Sequence, residues 1–202
     1  MNFYRIMGLM GKGSLMLHER LYTPTEFLEF VQQPENAGRW FELVQGEIVE
    51  VPPPTILHTL IGTAFARFLG NFVTTHHLGY VTADGGAYML GPGMIYVPDA
   101  AYISYERAPH VPEKYFLAAP DLAVEIVSPN DKPHEVQKKV ANYLEAGTRL
   151  VWVVYPEEKA VYVWRKADEG QMLVKKVDLN GILEGDDVLP GFQLAVRDVF
   201  PE

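Results

Sequence analysis

The feature that most constrains the fold is a strand–helix–strand pattern within residues 121–155. The segments "DLAVEIVS" and "RLVWVVY" are apolar at most positions, which is typical of strands covered on both faces of a sheet. Between them, "KPHEVQKKVANYLEAG" predicts a helix that begins near Pro133 and ends near Gly147. A crossover of this kind joins parallel strands, so the sequence predicts an α/β fold with a mixed sheet flanked by helices.

The other segments predict the rest of a single α/β domain. A helix capped by Thr23 is predicted for "TPTEFLEFVQQ", and "RWFELVQGEIVEVPPP" predicts an N-terminal hairpin that turns at Gln45 and Gly46. A second, well-buried helix is predicted for "TILHTLIGTAFARFLGNFV", with an apolar face made of Leu57, Leu60, Ile61, Ala64, Phe65, Phe68 and Leu69. Strands are predicted around "GYVTA", "GAYML" and "IYVPDAAYIS", and a C-terminal β-meander follows the crossover.

We expect one domain over residues 21–202, preceded by a flexible N-terminal extension over residues 1–20. An alternative explanation of the extension is that translation starts at Met16. No stretch is expected to span a membrane. The chain contains no cysteine, which excludes disulfides and thiolate metal sites and suits the cytoplasm, where we expect the protein.

The net charge of −9 limits the partners that the protein can hold by electrostatics alone. A polyanion such as a nucleic acid would be repelled at long range, unless positive side chains gather on one face or a bound cation offsets the carboxylates. Any nucleic-acid function therefore needs one of those two arrangements.

Glu125 interrupts the apolar run of the first crossover strand, on the same face as Ala123 and Val127. A buried carboxylate is costly unless it is protonated, hydrogen-bonded or bound to a cation. Asp99, in "IYVPDAAYIS", offers a second carboxylate from a neighbouring strand, and two such acids can hold Mg²⁺ for phosphodiester chemistry. Asp121 lies roughly 13 Å from Glu125 along the strand and is interpreted as a strand-entry residue.

The segments around these acids resemble a known family. "YVPDAAYIS" and "APDLAVEIVSPND", followed by "KKVANYLEAGTRLVWVVYP", resemble the Uma-two family, a restriction-endonuclease-like branch of the PD-(D/E)XK nuclease superfamily that is common in bacteria. "RWFELVQGEIVEVPPPTILH" and "LPGFQLAVRDVF" extend the resemblance over the chain from about Leu21. The resemblance implies a restriction-endonuclease-like core in which Asp99 and Glu125 bind Mg²⁺ or Mn²⁺.

The superfamily lysine is missing from its usual place, because Val127 stands two residues after the glutamate. The resemblance implies that Lys139, on the following helix, takes its role. Helical spacing places Lys139 at the edge of the inward stripe and turns Lys138 toward solvent. The alternative is that Lys139 lays its methylenes on the core edge and keeps its ammonium in water.

Two further residues are candidates for the site. Glu42, on the hairpin, is either an extra acid that joins the metal or a solvated strand carboxylate. His58 lies where the family commonly has histidine, and its alternative is a hydrogen-bonded packing residue. His76 and His77 are interpreted as residues at a helix end.

Two functions from different classes fit these residues. The first is a Mg²⁺-dependent endonuclease that hydrolyses the phosphodiester bonds of nucleic acid, with DNA as the expected substrate and a homodimer as a possible assembly. The second is a non-catalytic binding or assembly module that retains the nuclease fold.

Overall fold

The computed structural model describes residues 20–129, 131–167 and 171–201. The extension expected over residues 1–20 therefore lies outside the described residues, except for Arg20. The described helices are α1 (Pro24–Val31), α2 (Ile56–His76) and α3 (Pro133–Glu145). The strands are β1 (Trp40–Val44), β2 (Glu47–Val51), β3 (Gly79–Ala83), β4 (Tyr88–Gly91), β5 (Met94–Tyr96), β6 (Ala100–Ser104), β7 (Leu122–Ile126), β8 (Leu150–Tyr155), β9 (Ala160–Lys166), β10 (Met172–Val177), β11 (Ile182–Glu184) and β12 (Gln193–Ala195).

The main sheet has six strands in the order β10–β9–β8–β7–β6–β3. Strands β7 and β8 run parallel, with Glu125 opposite Val153, and the other pairs are antiparallel. Helix α2 packs on one face through Ile61 and Phe65, and α3 packs on the other face through Val140 and Tyr143. The predicted parallel crossover within a mixed, helix-flanked sheet is confirmed.

A smaller sheet, in the order β2–β1–β5–β4, lies beside the main one. The predicted hairpin forms its β1 and β2 strands, and the two turn residues Gln45 and Gly46 adopt φ values of 53° and 85°. Two consecutive residues with positive φ match the twist of a tight hairpin. One face of β1 packs on α1 through Phe41 and Leu43, so this sheet is anchored by its own apolar cluster.

The segment "IYVPDAAYIS" is two strands rather than one, which corrects the sequence-based prediction. Strand β5 belongs to the small sheet and β6 to the main sheet. Pro98 lies between them, and because proline has no backbone N–H it interrupts a strand ladder. Asp99 therefore lies where the chain passes from one sheet to the other.

Helix α2 is less buried than its sequence suggests. Ile61, Phe65, Leu69 and Val73 form its buried face, but Leu57 and Leu60 are 43% and 49% exposed. Thr55 and His58, at the same end of the helix, line a cleft.

By length and composition alone, α2 could also cross a membrane, contrary to our expectation for the sequence. Its buried face packs against the central sheet, as in the core helix of a globular protein.

Asp121 immediately precedes β7 and belongs to a buried ion pair at the end of the strand away from Glu125. Its carboxylate accepts a hydrogen bond from the Ser104 backbone N–H at 2.8 Å and lies 3.1 Å from Arg107 and 3.2 Å from Arg149. Asp121 thus joins the loop after β6 to the start of β8.

Replacing Asp121 should test this structural role. We expect Asp121→Asn to lower the free energy of unfolding by about 2 kcal/mol, because two arginines lose their buried partner. Asp187→Asn is the matched control, since Asp187 is 80% exposed and contacts Arg149 at 3.4 Å. Urea denaturation should show no measurable change for the control, and an equal loss in both variants would contradict the assignment.

Candidate active site

A cleft of about 530 Å³ opens between the β1–β2 hairpin, the start of α2 and the first turns of α3. Five side chains proposed from the sequence line this cleft: Glu42, His58, Asp99, Glu125 and Lys139. They come from both sheets and two helices, so folding brings together residues that are up to 97 positions apart in sequence.

Glu125 lies on β7 at the floor of the cleft, with both carboxylate oxygens hydrogen-bonded. The Tyr143 hydroxyl donates to Oε1 at 2.7 Å, and the Lys139 ammonium lies 2.9 Å from Oε2. Burial raises the pKa of Glu125 to about 8, and the charges of Asp99 and Glu42 act in the same direction while Lys139 opposes them. At neutral pH, Glu125 therefore binds a proton readily until another cation replaces it.

Asp99 flanks Glu125 from the neighbouring segment of chain. Its backbone N–H donates to Val124 at 3.0 Å, and its Oδ2 accepts from the Ile126 N–H at 2.6 Å. These are the residues on either side of Glu125, so the two acids are held at the same end of the sheet. The His58 Nε2 lies 2.7 Å from Oδ1 of Asp99.

His58 is positioned by the start of α2, where the Thr55 side chain accepts a hydrogen bond from the His58 backbone N–H. Burial lowers the pKa of His58, but the hydrogen bond and the charge of Asp99 together raise it by more than burial lowers it. The pKa of His58 therefore lies above its ordinary value. A protonated imidazole would donate to Asp99 and offset part of its negative charge.

Lys139 joins the two sheets through a pair of carboxylates. Its ammonium lies 2.9 Å from Glu42 Oε1 and 2.9 Å from Glu125 Oε2, and 5.4 Å from the centre of the Tyr96 ring. Burial alone would lower the pKa of Lys139, but Glu125 and Glu42 raise it above its ordinary value, so the ammonium stays charged. The ammonium therefore lies between carboxylates rather than in water, whereas Lys138 is exposed at the cleft wall.

Glu42 is a buried residue of β1 and not a solvated strand carboxylate. Besides Lys139, its Oε1 accepts a hydrogen bond from the Val97 backbone N–H at 3.0 Å. Val97 lies in the connection that leads to Asp99, so Glu42 also fixes the approach to that residue.

The sequence reasoning missed three neighbours of the site. Tyr143 belongs to the inward stripe of α3 and has no site role in the sequence analysis, although its position one turn after Lys139 indicates that it reaches the same carboxylate. Asn142, which received no role, donates to the buried Tyr96 hydroxyl at 2.6 Å. Asp84 also lines the cleft, and burial together with the charge of Asp99 raises its pKa.

The remaining candidates lie elsewhere or at the rim. His76 ends α2 and bonds the Phe72 carbonyl, and His77 is its left-handed C-cap. Glu47 and Glu50, which the hairpin pattern favours as surface charges, border the cleft, and Glu50 pairs with Arg39 at 2.6 Å.

The donor set fits a hard cation held by few protein ligands. Across the described parts of the chain, no three His, Asp or Glu side chains are grouped so as to hold a metal ion by themselves. Mg²⁺ is commonly bound through one or two carboxylates with waters and phosphate oxygens in its other positions. Asp99 and Glu125 meet that requirement, although each of their oxygens already accepts a protein hydrogen bond.

A helix-flanked mixed sheet that carries two acids and a lysine at one end defines a nuclease-like α/β protein. The chain belongs to the Uma2 family, described as "Putative restriction endonuclease", whose model matches residues 27–197. It is also similar to the crystal structure of "a putative nuclease belonging to DUF820" from Anabaena variabilis, with a TM-score of 0.73 and 24% identity. That likeness covers 88% of this chain and 97% of the other. The comparison with curated proteins gave no match. Family and fold together support a nuclease-type function that acts on nucleic acid.

The raised pKa of Glu125 gives a testable pH dependence of stability in metal-free buffer. Between pH 4.5 and about 8 the folded state holds a proton at Glu125 that the unfolded state has lost. The free energy of unfolding should therefore fall as pH rises through this range, by up to about 1.4 kcal/mol per pH unit from this residue. Urea denaturation in EDTA should show a steeper fall for the wild type than for Glu125→Gln, and parallel curves would contradict the assignment.

Proposed function

We propose that this protein is a Mg²⁺- or Mn²⁺-dependent nuclease that hydrolyses phosphodiester bonds, with DNA as its substrate. The observation that carries the proposal is the meeting of Asp99, Glu125 and Lys139 in one cleft. The description of the family, "Putative restriction endonuclease", supports DNA rather than another nucleic acid.

In this proposal Asp99 and Glu125 are the metal ligands, and other residues hold them in place. The Ile126 N–H and His58 fix the two oxygens of Asp99, while Tyr143 and Lys139 fix those of Glu125. The metal, when bound, would supply an activated water and stabilise charge on the scissile phosphate. His58 and Tyr143 are thus positioning residues, whose effect passes through the carboxylates.

Lys139 is the residue that we assign to the phosphate. Its ammonium is kept charged by Glu42 and Glu125 and is held at the cleft floor. A positioned cation of this kind donates to the charge that develops on a phosphoryl oxygen, and it needs little reorganisation in a buried site. Glu42 would hold Lys139 in place when a cation displaces the ammonium from Glu125.

A second candidate is a non-catalytic module in which the same groups are structural. The observation that favours it is that all four oxygens of Asp99 and Glu125 have donors within the protein. In such a module the ammonium of Lys139 would be the permanent counter-ion of the acids. Metal binding separates the two candidates.

We expect millimolar Mg²⁺ or Mn²⁺ to raise the melting temperature relative to EDTA. Binding at tenfold over the dissociation constant stabilises a folded state by about 1.4 kcal/mol, which is roughly 3–6 °C for a chain of this size. Differential scanning fluorimetry of the wild type and of Asp99→Asn provides the measurement. A wild type that melts identically with and without metal would favour the non-catalytic module.

The lysine pair tests the catalytic assignment. Lys139→Met should lower kcat/KM for cleavage of DNA by at least about a hundredfold, because a buried charge donor is lost. Lys138→Met is the matched control, since it removes the same charge from an exposed position of the same helix. Methionine is chosen over alanine because it removes the charge and keeps most of the aliphatic volume of Lys139 beside the two buried acids.

Melting curves should show that Lys139→Met is folded under the assay conditions. Equal losses of cleavage in the two variants would indicate bulk electrostatics, and full activity in Lys139→Met would contradict the assignment.

A further inference from the structure

We propose that Trp40 is a stacking platform for a nucleobase, and that the cleft takes an unpaired strand rather than an intact duplex. This inference rests on the proposed nuclease function and names the substrate class of that same site.

Trp40 lies on the face of β1 that carries the site. Because side chains alternate along a strand, Trp40, Glu42 and Val44 share one face, and all three line the cleft. Phe41 and Leu43 point the other way, into the small core. Trp40 is therefore two residues, or roughly 7 Å along the strand, from the glutamate that holds Lys139.

The indole is exposed where an apolar ring would ordinarily be covered. Trp40 is 39% exposed, while Trp152 is fully buried and Trp164 is half-buried. Within the described residues no aromatic ring packs against Trp40. The edge of its ring faces the turn at Gly85, where a Cβ would lie 3.9 Å from the ring carbon Cζ3.

The neighbouring strand extends this apolar wall. Val51 lies opposite Trp40 and Val49 opposite Glu42 in the β1–β2 pair, and the prolines 52–54 continue the lining. An apolar wall with one exposed aromatic face suits a flat heterocycle. It offers no row of cations that would follow a duplex backbone.

The charge of the cleft supports the same conclusion. Its lining carries more carboxylates than ammonium groups, the acids being Glu42, Glu47, Glu50, Asp84, Asp99, Glu125, Asp131 and Glu135, and the lysines Lys138 and Lys139. The protein's own charges therefore attract phosphates weakly, and beyond a bound cation a term that does not depend on charge is needed for affinity. Base stacking is such a term and tolerates any sequence.

The size of the cleft fits one unpaired base. A volume of about 530 Å³ is that of a pocket for a small molecule and so can admit a single nucleotide. A base inside a duplex is covered on both faces by its neighbours and cannot stack on a side chain without leaving the helix. An unpaired strand presents its bases at no such cost.

The test compares Trp40→Ala, Trp40→Phe and Val49→Ala for binding to a phosphorothioate oligothymidylate of about 12 nucleotides in Mg²⁺. The probe resists hydrolysis, so fluorescence anisotropy reports binding without cleavage. Val49→Ala is the matched control, because Val49 is an exposed apolar residue of the same wall. A duplex of the same length and a single-stranded oligouridylate complete the set and separate strandedness from sugar type.

We expect Trp40→Ala to weaken single-strand binding about tenfold or more, while Trp40→Phe and Val49→Ala stay within about threefold of the wild type. The wild type should bind the duplex more weakly, and Trp40→Ala should not change that affinity. Unchanged single-strand binding in Trp40→Ala, or equal losses for single strand and duplex, would overturn the inference. If Trp40→Ala loses single-strand binding but the wild type cleaves no nucleic acid, the proposed nuclease function is refuted and the stacking role of Trp40 is retained.

Discussion

The interaction on which the site depends is the contact of one ammonium with two carboxylates from different sheets. Lys139 of α3 reaches Glu42 of the small sheet and Glu125 of the main sheet at 2.9 Å each. The small sheet packs on α1 through one apolar cluster and on the main sheet and α3 through a second, to which it contributes Tyr88 and Tyr96. The ammonium adds a polar link between the sheets at the cleft itself. Buried charges are retained only with partners, and here each partner belongs to a different element.

This arrangement leaves the cleft short of positive charge. Among the described residues, Asp99, Glu42 and Glu125 have only the ammonium of Lys139 and the imidazole of His58 as nearby cations. Burial raises the pKa of Glu125, and the charges of Asp99 and Glu42 raise it further while Lys139 opposes them. A carboxylate must lose its proton to bind a metal ion, so binding of a divalent cation would release the proton of Glu125. The acidic balance of the whole chain, which argues against electrostatic capture of a polyanion, thus favours capture of a cation.

Periodicity and capping predicted the crossover, the hairpin and the helix ends, because those features depend on residues close in sequence. The division of the segment around Pro98 depended on where the two sheets meet, which no local pattern encodes. The exposure of Leu57 and Leu60 depended on how far the sheet extends along α2. Asp99 and Glu125 could be selected because buried charge is rare, and Lys139 because the resemblance to the family implied it. Tyr143 and Trp40 were not selected, because an aromatic residue in an amphipathic helix or strand is ordinarily part of the core.

The position of the lysine on a helix rather than on the strand has a structural consequence. At Val127 a lysine would rise from the same strand as Glu125, whereas Lys139 approaches from α3 and brings Tyr143 with it, one turn further along. Both donors to Glu125 therefore come from one rigid helix, whose inner face is fixed by Val140 and Leu144. From α3, Lys139 also contacts Glu42, a second carboxylate on the small sheet. A lysine on α3 thus links the position of Glu125 to the position of the hairpin that carries Glu42 and forms one wall of the cleft.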